Sequence, residues 1–506
     1  MGIIGRLLKP IQLDGHSWAF FHDGGHGLAV YAEPGLATPL AEDRHFRKTK
    51  GRCFDISPCE KERKIKGVIP RFGFGRRSMA LTKRCLIAIF AQVQLYHFQA
   101  YQRKEMVMAL MRFRSLLVGI LIGAVAWPHA PGLAVLMILL LPAVRRRYAL
   151  ALGYYAGASY GLIRGTATFF PHAGLALGGT FWLASAAVLA LPYLIYDAFV
   201  RRWPDKLSPH IFGLWAITLL SVLPPLGIIG WTNPWVGSFE AGPAGPAMVI
   251  IAFTVITILI GAEAPTAGKT LAGLVAFGLC LPPAPLPSTP KSWTVINTHH
   301  GLLKGPMSPI VISFHLRAVV LQKLSDPHTH VVVLPESIVG YWLPGTAAVW
   351  QPVIQWTATH SRQTVLLGAL VPEGRGYADA LLKIHAGHVR VLPDRIPVPF
   401  SMWHPWNPIE SARMVVFGRR EADRVDGRKA GYLICYEQLL SLPELSLTFS
   451  PPELLIGAAN DWWAKGTNIP EIQRASLRAW ARLWDVPLID AVNYGYTTTV
   501  PAIPHQ

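Results

Sequence analysis

Gly431-Tyr-Leu-Ile-Cys435-Tyr436-Glu437 is the stretch on which the reading of this chain turns. Its first half is a short apolar run opened by a glycine, the pattern of a strand buried on both faces. The run stops on a cysteine followed by a carboxylate, and a short helix is expected over 437–441. A thiol at such a strand-to-helix turn would meet the helix N-terminus, which lowers its pKa and offers backbone N–H groups to an oxyanion. The plainer alternative is a packing cysteine, since free cysteines are commonly buried.

Outward from this stretch, comparable β-rich runs recur at Trp293-Thr-Val-Ile-Asn297, Val331-Val-Val-Leu334, Thr364-Val-Leu-Leu-Gly368 and Glu453-Leu-Leu-Ile-Gly457, alternating with helical segments. This is an α/β pattern with buried strands. Two more of these runs end in groups able to do chemistry. Val331–Leu334 leads into Pro335-Glu336-Ser337, where a partly desolvated carboxylate could act as a general base, although an acidic residue also suits the first turn of a helix. Leu454–Ala459 leads into Asn460-Asp461-Trp462-Trp463 and then a helix from about Glu471 to Trp484. Its arginines, Arg474, Arg478 and Arg482, recur every four residues and read as a solvated face.

Upstream, the texture changes. Of 506 residues, 51% are hydrophobic and 15% charged, which excludes a purely soluble, disordered or fibrous chain. Residues 1–105 carry 18 basic and 9 acidic side chains, residues 111–285 only 10 and 4, and residues 286–506 a near-balanced 19 and 16. The net charge of +18 could suggest nucleic acid. Half of it lies in the first block and most of the rest flanks apolar runs, so membrane orientation explains it better and no nucleic-acid binding is expected.

Apolar stretches at 115–127, 132–144, 148–163, 173–199, 209–230, 246–262 and 270–284 give about seven spans. Arg112 and Arg114, then Arg145-Arg146-Arg147, then Arg201, Arg202 and Lys206 fall on one side, which the positive-inside rule makes cytoplasmic. The chain after 285 is then extracytoplasmic. Trp127, Trp182, Trp203 and Trp231 lie near span ends and read as interfacial anchors. The spans carry almost no charge beyond Asp197, which disfavours a transporter. Pro282–Pro290 is a stiff linker. Residues 1–110 form a basic extension with no assigned function, expected to be poorly ordered or to reflect an upstream start codon, with Met106, Met108 and Met111 as alternative starts. Five scattered cysteines make no disulfide framework, and Cys53 and Cys59 lack a second ligand pair, so neither a metal nor a cofactor is expected.

Taken together, LPES (334–337), GYLICYE (431–437) and the segment 458–495 resemble the carbon–nitrogen hydrolase, or nitrilase, superfamily, whose active site is a Glu, Lys, Cys triad. With a multi-span region in front, the chain is most similar to the apolipoprotein N-acyltransferase branch, and within it to plasmid conjugal transfer proteins, over about residues 111–500. The resemblance implies a multi-span α-helical membrane domain (111–285) followed by an α-β-β-α sandwich (286–506). It implies Glu336 as base and Cys435 as a nucleophile forming a thioester. Tyr436, Glu437, Asn460 and Asp461 match substrate-binding positions.

Three departures stand out. The family lysine lies shortly before a Val-Pro-Phe segment, and before Val398-Pro399-Phe400 the nearest cation is Arg395. Arginine can stabilise an oxyanion but cannot relay a proton. Lys383 is placed on the preceding strand in the wrong register. Ser401 and Met402 stand where the acyltransferase carries a second acid, and the closing strands and last span of the acyltransferase are not seen after Asn493-Tyr494-Gly495. Two functions follow as expectations. One is an acyl transferase or amidase of the bacterial inner membrane, with a periplasmic catalytic domain, a membrane lipid as acyl donor and a lipoprotein amine or water as acceptor. The other is a non-catalytic component that contacts envelope or mating-pore proteins.

Overall fold

The computed structural model describes residues 7–13, 16–22, 28–32, 113–172, 174–203, 207–280, 283–301, 308–407, 409, 411–417 and 422–494. Near the start, β1 (Leu7–Leu13), β2 (His16–His22) and β3 (Leu28–Ala32) form an antiparallel meander. The remainder of the basic extension, with Cys53, Cys59 and the alternative starts, lies outside the described residues, as does the chain after Tyr494.

The block expected to hold the spans is helical: α1 (Phe113–His129), α2 (Leu136–Leu139), α3 (Arg147–Ala158), α4 (Gly161–Phe169), α5 (Gly174–Ala190), α6 (Pro192–Arg202), α7 (Leu207–Val222), α8 (Leu226–Ile229), α9 (Gly245–Gly261) and α10 (Pro265–Cys280), but the stretch 132–144 is a 3-10 turn, Pro131–Val135, followed only by the four-residue α2. Two continuous helical stretches, Gly174–Arg202 and Pro234–Gly261, are long and apolar enough to cross a bilayer, and α1 and α7 are shorter apolar helices. The outer surface of this block exposes Leu121, Leu175, Phe212, Trp215, Ile251 and Phe277.

Of the four tryptophans expected as anchors, Trp203 is exposed. Trp127 and Trp231 are buried, Trp127 donating to the Tyr154 hydroxyl at 2.9 Å, and Trp182 donates to the Ala156 carbonyl. An indole needs a partner when buried, and the helical block supplies it. Asp197 is paired with Arg147 at 2.8 Å.

From Trp293 the α/β domain follows: β4 (Trp293–Val295), α11 (Ser308–Leu324), β5 (Val331–Val333), α12 (Pro344–Thr359), β6 (Thr364–Glu373), β7 (Gly376–His385), β8 (His388–Pro393), β9 (Asp423–Val425), β10 (Arg428–Ile434), α13 (Ser441–Thr448), β11 (Leu454–Asn460), α14 (Ile469–Trp484) and β12 (Leu488–Asn493). One sheet has the order β4-β5-β6-β7-β8, its first three strands parallel. The other has the order β12-β11-β10-β9, again with three parallel strands.

Alternate residues of both sheets (Val331, Val333, Leu366 and Leu381 against Tyr432, Ile434, Ile456 and Ala491) share one core. The opposite face of the first sheet packs with α11 and α12 through Val332, Leu367, Val320 and Trp350. The opposite face of the second packs Leu433 and Leu455 with Leu477 and Trp480 of α14 and onward with the helical block. The layering is therefore α-β-β-α, as the resemblance implied, with a further helical layer on one outer face.

That outer layer changes the reading of α14. Ile469, Ile472, Gln473, Ser476 and Trp480 form its buried stripe. The arginine row is only in part a solvated face: Arg478 is exposed, whereas Arg482 clasps Glu240 with two bonds of 2.9 Å and Arg474 donates to the Tyr494 hydroxyl at 2.8 Å. Asn468 sends its side chain to Gly161 N (3.1 Å) and Ala158 O (2.8 Å) rather than to its own helix. An opposite charge, Glu240 of the helical block, explains why Arg482 turns inward.

Candidate active site

The parallel strands of both sheets deliver the site at their carboxyl ends. Past β5, Leu334 N–H donates to Leu366 O at 2.8 Å, and the chain turns at Pro335-Glu336-Ser337. It is a turn, not the helix start that acidic residues favour. It lies so close to β6 that a Cβ on Gly368 would stand 2.0 Å from the Pro335 oxygen and 2.6 Å from the Glu336 Cα. Only glycine allows the approach. Glu336 is buried, and its Oε2 accepts the backbone N–H of Asn460 at 2.8 Å. Asn460 also donates to Ser337 Oγ at 2.9 Å, and Asn493 donates to Asn460 Oδ1 at 2.7 Å. Asn493 in turn accepts from Thr298 and His300, which ties the ends of β4, β11 and β12 together.

Cys435 ends β10 and opens a 3-10 turn, Cys435–Leu439, in place of the expected helix over 437–441. Glu336 is the neighbouring charge that acts most strongly on its thiol. Cys435, Ser337 and Phe400 all have positive φ, at 48°, 46° and 67°, and all three line the same cavity. Backbone held in that region costs about 1–3 kcal/mol per residue and collects at functional sites.

The thiol is not acidified. Burial, then the neighbouring Glu336, Asp461 and Asp379, raise it well above the usual thiol range, because a single 3-10 turn supplies too little dipole to offset desolvation among acids. Burial likewise pushes Glu336 up to about 7, opposed by hydrogen bonds from Asp379, Cys435 and Asn460. Asp461, also buried, is pushed up to about 7 by desolvation and by Asp490. Glu336 is thus a titratable carboxyl beside a thiol that burial keeps protonated.

The other expected site residues separate into those around this pair and those holding it. Glu437 is buried; its Oε1 accepts Arg395 N–H at 2.9 Å and its Oε2 accepts Ile434 N–H at 3.2 Å, binding the Cys435 turn to the segment after β8. The Tyr436 hydroxyl reaches the helical block, donating to Ile228 O at 3.2 Å. The Arg395 guanidinium donates to Val415 O and Val416 O at 3.3 and 3.4 Å. Lys383 pairs with Asp423 at 3.0 Å. Neither cation is among the charges that chiefly act on Glu336 or Cys435.

Sequence reasoning missed Asp379 on β7, buried among the acids that act on Glu336 and Cys435. Its signal was a lone acid inside the apolar run Tyr377-Ala-Asp379-Ala-Leu-Leu. Gln473, whose Nε2 donates to Cys435 O at 3.1 Å, was missed too.

Two cavities meet at Cys435. One, of about 380 Å³, runs between α5 and the α/β domain past Val188, Ile229, Trp231, Tyr436 and Leu439. The other, of about 480 Å³, contains Glu336, Tyr377 and Asn460 and is walled by Phe169, Phe170 and Trp462. Both share Leu162, Phe181, Val398-Pro399-Phe400 and Trp463. Their walls are almost entirely apolar, and Glu336, Ser337, Asn460 and Gln473 are among the few polar groups that line them.

No protein-family model matches the chain. Among solved structures, an amidase from Nesterenkonia sp. is 11% identical, with a TM-score of 0.26, over 33% of this chain and 63% of that one. A carbon–nitrogen hydrolase from Helicobacter pylori G27 is 12% identical, with a TM-score of 0.25, over 33% and 58%. The curated relatives are nearer. "Conjugal transfer protein TraB" of Agrobacterium fabrum is 30% identical over 401 residues, 75% of this chain and 92% of the relative. "Probable conjugal transfer protein TraB" of Sinorhizobium fredii is 30% identical over 389 residues, 74% and 96%. With that identity spread over nearly the whole length of both relatives, the chain belongs to the TraB family of conjugal transfer proteins.

Proposed function

We propose that this protein acts in conjugal transfer as a multi-pass inner-membrane enzyme whose periplasmic α/β domain forms a thioester on Cys435. One observation carries the reading: the Glu336–Cys435 pair sits where two apolar cavities join, between helices of the apolar block and the α/β domain. Glu336 takes the Sγ proton, Sγ attacks an acyl ester carbonyl held by the hydrocarbon walls, the acyl–oxygen bond breaks and the donor's alcohol leaves with the proton from Glu336; an amine or water, giving its proton to Glu336, then displaces Sγ, which takes that proton back. A membrane lipid is the donor that suits such walls. Acceptors are a lipoprotein amine or water. The apolar outer surface of the helical block and its flanking arginines support seven spans with the domain outside the cytoplasm, and a reporter fused after residue 300 tests this: a cytoplasmic signal overturns it.

The chemistry is tested by intact-mass spectrometry of membrane-purified protein and its Cys435→Ala variant. A hydroxylamine-sensitive acyl adduct only with Cys435 supports acyl transfer. An acid-rich site whose neighbouring arginine is engaged with loop carbonyls favours the second reading, a non-catalytic member of the conjugation machinery that touches envelope or mating-pore proteins. Absence of an adduct across lipid donors, with unaltered conjugation by Cys435→Ala, selects it.

A further inference from the structure

We infer that Gln473 is a positioning residue for the thioester step: by holding the Cys435 carbonyl it orients the peptide group between Cys435 and Tyr436, so that the Tyr436 N–H meets the negative oxygen formed when sulfur adds to a carbonyl. This rests on the reading of Cys435 as nucleophile. Gln473 is buried on the inner stripe of α14 and lines the cavity of about 380 Å³ together with Cys435 and Tyr436. Its Nε2 donates to Cys435 O at 3.1 Å and to Gln438 Oε1 at 3.2 Å. The direction of both amides is fixed by backbone. Gln438, also buried, gives its two Nε2 hydrogens to Leu433 O of β10 (3.2 Å) and Ala458 O of β11 (3.1 Å), which leaves its oxygen to Gln473 and makes nitrogen the atom that Gln473 must present. Gly457 of β11 makes room for this chain of amides, since a Cβ there would stand 3.2 Å from Gln438 Nε2.

In a planar trans peptide the C=O and the N–H point in opposite directions. A Cys435 carbonyl turned toward α14 therefore turns the Tyr436 N–H away from it, and a 3-10 turn that opens at Cys435 gives that N–H no carbonyl of its own. Cys435 holds φ at 48°, a conformation that is costly for a cysteine and kept only where the surroundings fix it. Bonds within a single 3-10 turn have poor geometry, and Gln473 adds one anchored outside the turn. Without it the peptide can rotate about the axis joining its two Cα atoms, which moves the N–H and leaves Sγ in place.

In the step proposed, the Sγ proton passes to Glu336, sulfur bonds to the acyl carbon, and the carbonyl electron pair moves to oxygen, where the Tyr436 N–H donates to it. The pair then returns, the acyl–oxygen bond breaks and the alcohol leaves with the proton from Glu336. Alkylation by iodoacetamide, in which sulfur bonds to carbon and iodide leaves, forms no such oxygen. The test sets two reagents side by side on the full membrane-purified chain at pH 8: p-nitrophenyl butyrate, read as p-nitrophenolate released and as a butyryl group on Cys435 by site-resolved mass spectrometry, and iodoacetamide, read as alkylated Cys435. Gln473→Met, similar in length but without a donor, should slow acylation by about 100-fold, the loss of one oxyanion donor, and leave alkylation at the wild-type rate. Should thermal melting show that the methionine variant does not fold, Gln473→Leu takes its place. Acylation of the variant at the wild-type rate, or a fall in its alkylation as large as the fall in acylation, overturns the inference. Wild type and Cys435→Ala separate the two readings. A wild-type chain alkylated at Cys435 that takes no butyryl group there, or nitrophenolate release undiminished by Cys435→Ala, overturns Cys435 as nucleophile and this inference with it, whereas butyrylated wild type beside an equally butyrylated Gln473→Met overturns Gln473 alone.

Discussion

Substituting Gly368 by alanine should disable Cys435 chemistry while leaving the chain folded. The added Cβ would lie 2.0 Å from the Pro335 carbonyl oxygen and 2.6 Å from the Glu336 Cα, both backbone atoms that cannot rotate aside. Contacts of real Cβ atoms stay beyond 3.0 Å, so the turn carrying Glu336 must retreat by about 1 Å, an overpacking cost of about 1–3 kcal/mol. The retreat pulls Oε2 off the Asn460 N–H and the carboxylate away from the thiol. A misplacement of that size costs about 100-fold in rate. The assay is Cys435 alkylation at pH 8 beside thermal melting, with Gly345→Ala as control, since a Cβ there meets nothing within 4 Å. Wild-type alkylation by a folded Gly368→Ala protein would refute the dependence of the thiol on the position of Glu336.

Further outcomes follow from the same geometry. Glu336 and Asp461 are both raised to about 7 by burial, so their stabilising protonated forms are fully present below the unfolded carboxylate range and lost as pH rises through 7; the melting temperature should fall from pH 5 to 8, and less so in Glu336→Gln. Arg482→Ala leaves buried Glu240 without its two-bond partner and should cost about 3–5 kcal/mol, read as a lower melting temperature in detergent. Val188→Trp, filling the cavity between α5 and Tyr436, should abolish the acyl adduct yet leave alkylation by small iodoacetamide intact; an undiminished adduct would place the acyl chain elsewhere.

What the sequence disclosed was mostly local. Apolar runs ending at Leu334, Cys435 and Ala459 became β5, β10 and β11, because a strand buried on both faces needs only a continuous hydrophobic stretch and a stop. Glu336 and Cys435 were legible as strand-end residues, and their contact followed from the parallel pairing of both sheets. The arginines of α14 misled, since helical spacing says which residues share a face but not whether an acid such as Glu240 waits opposite. The thiol environment was misjudged for the same reason: Asp379 lies 56 positions before Cys435 in the chain, and no short-range pattern announces that the two approach. Trp231 looked like an interfacial anchor and instead lines a cavity, a distinction set by helix packing alone.

The proline-rich linker marks where one composition gives way to another, yet it is a poor place to cut. The inner side of α14, with Ile472 and Trp480, finds its cover on the helices that precede the linker, and Tyr436, directly after the nucleophile, hangs its hydroxyl on Ile228. A fragment beginning at residue 286 would therefore carry Glu336 and Cys435 and still lack one wall of the cavities that meet there.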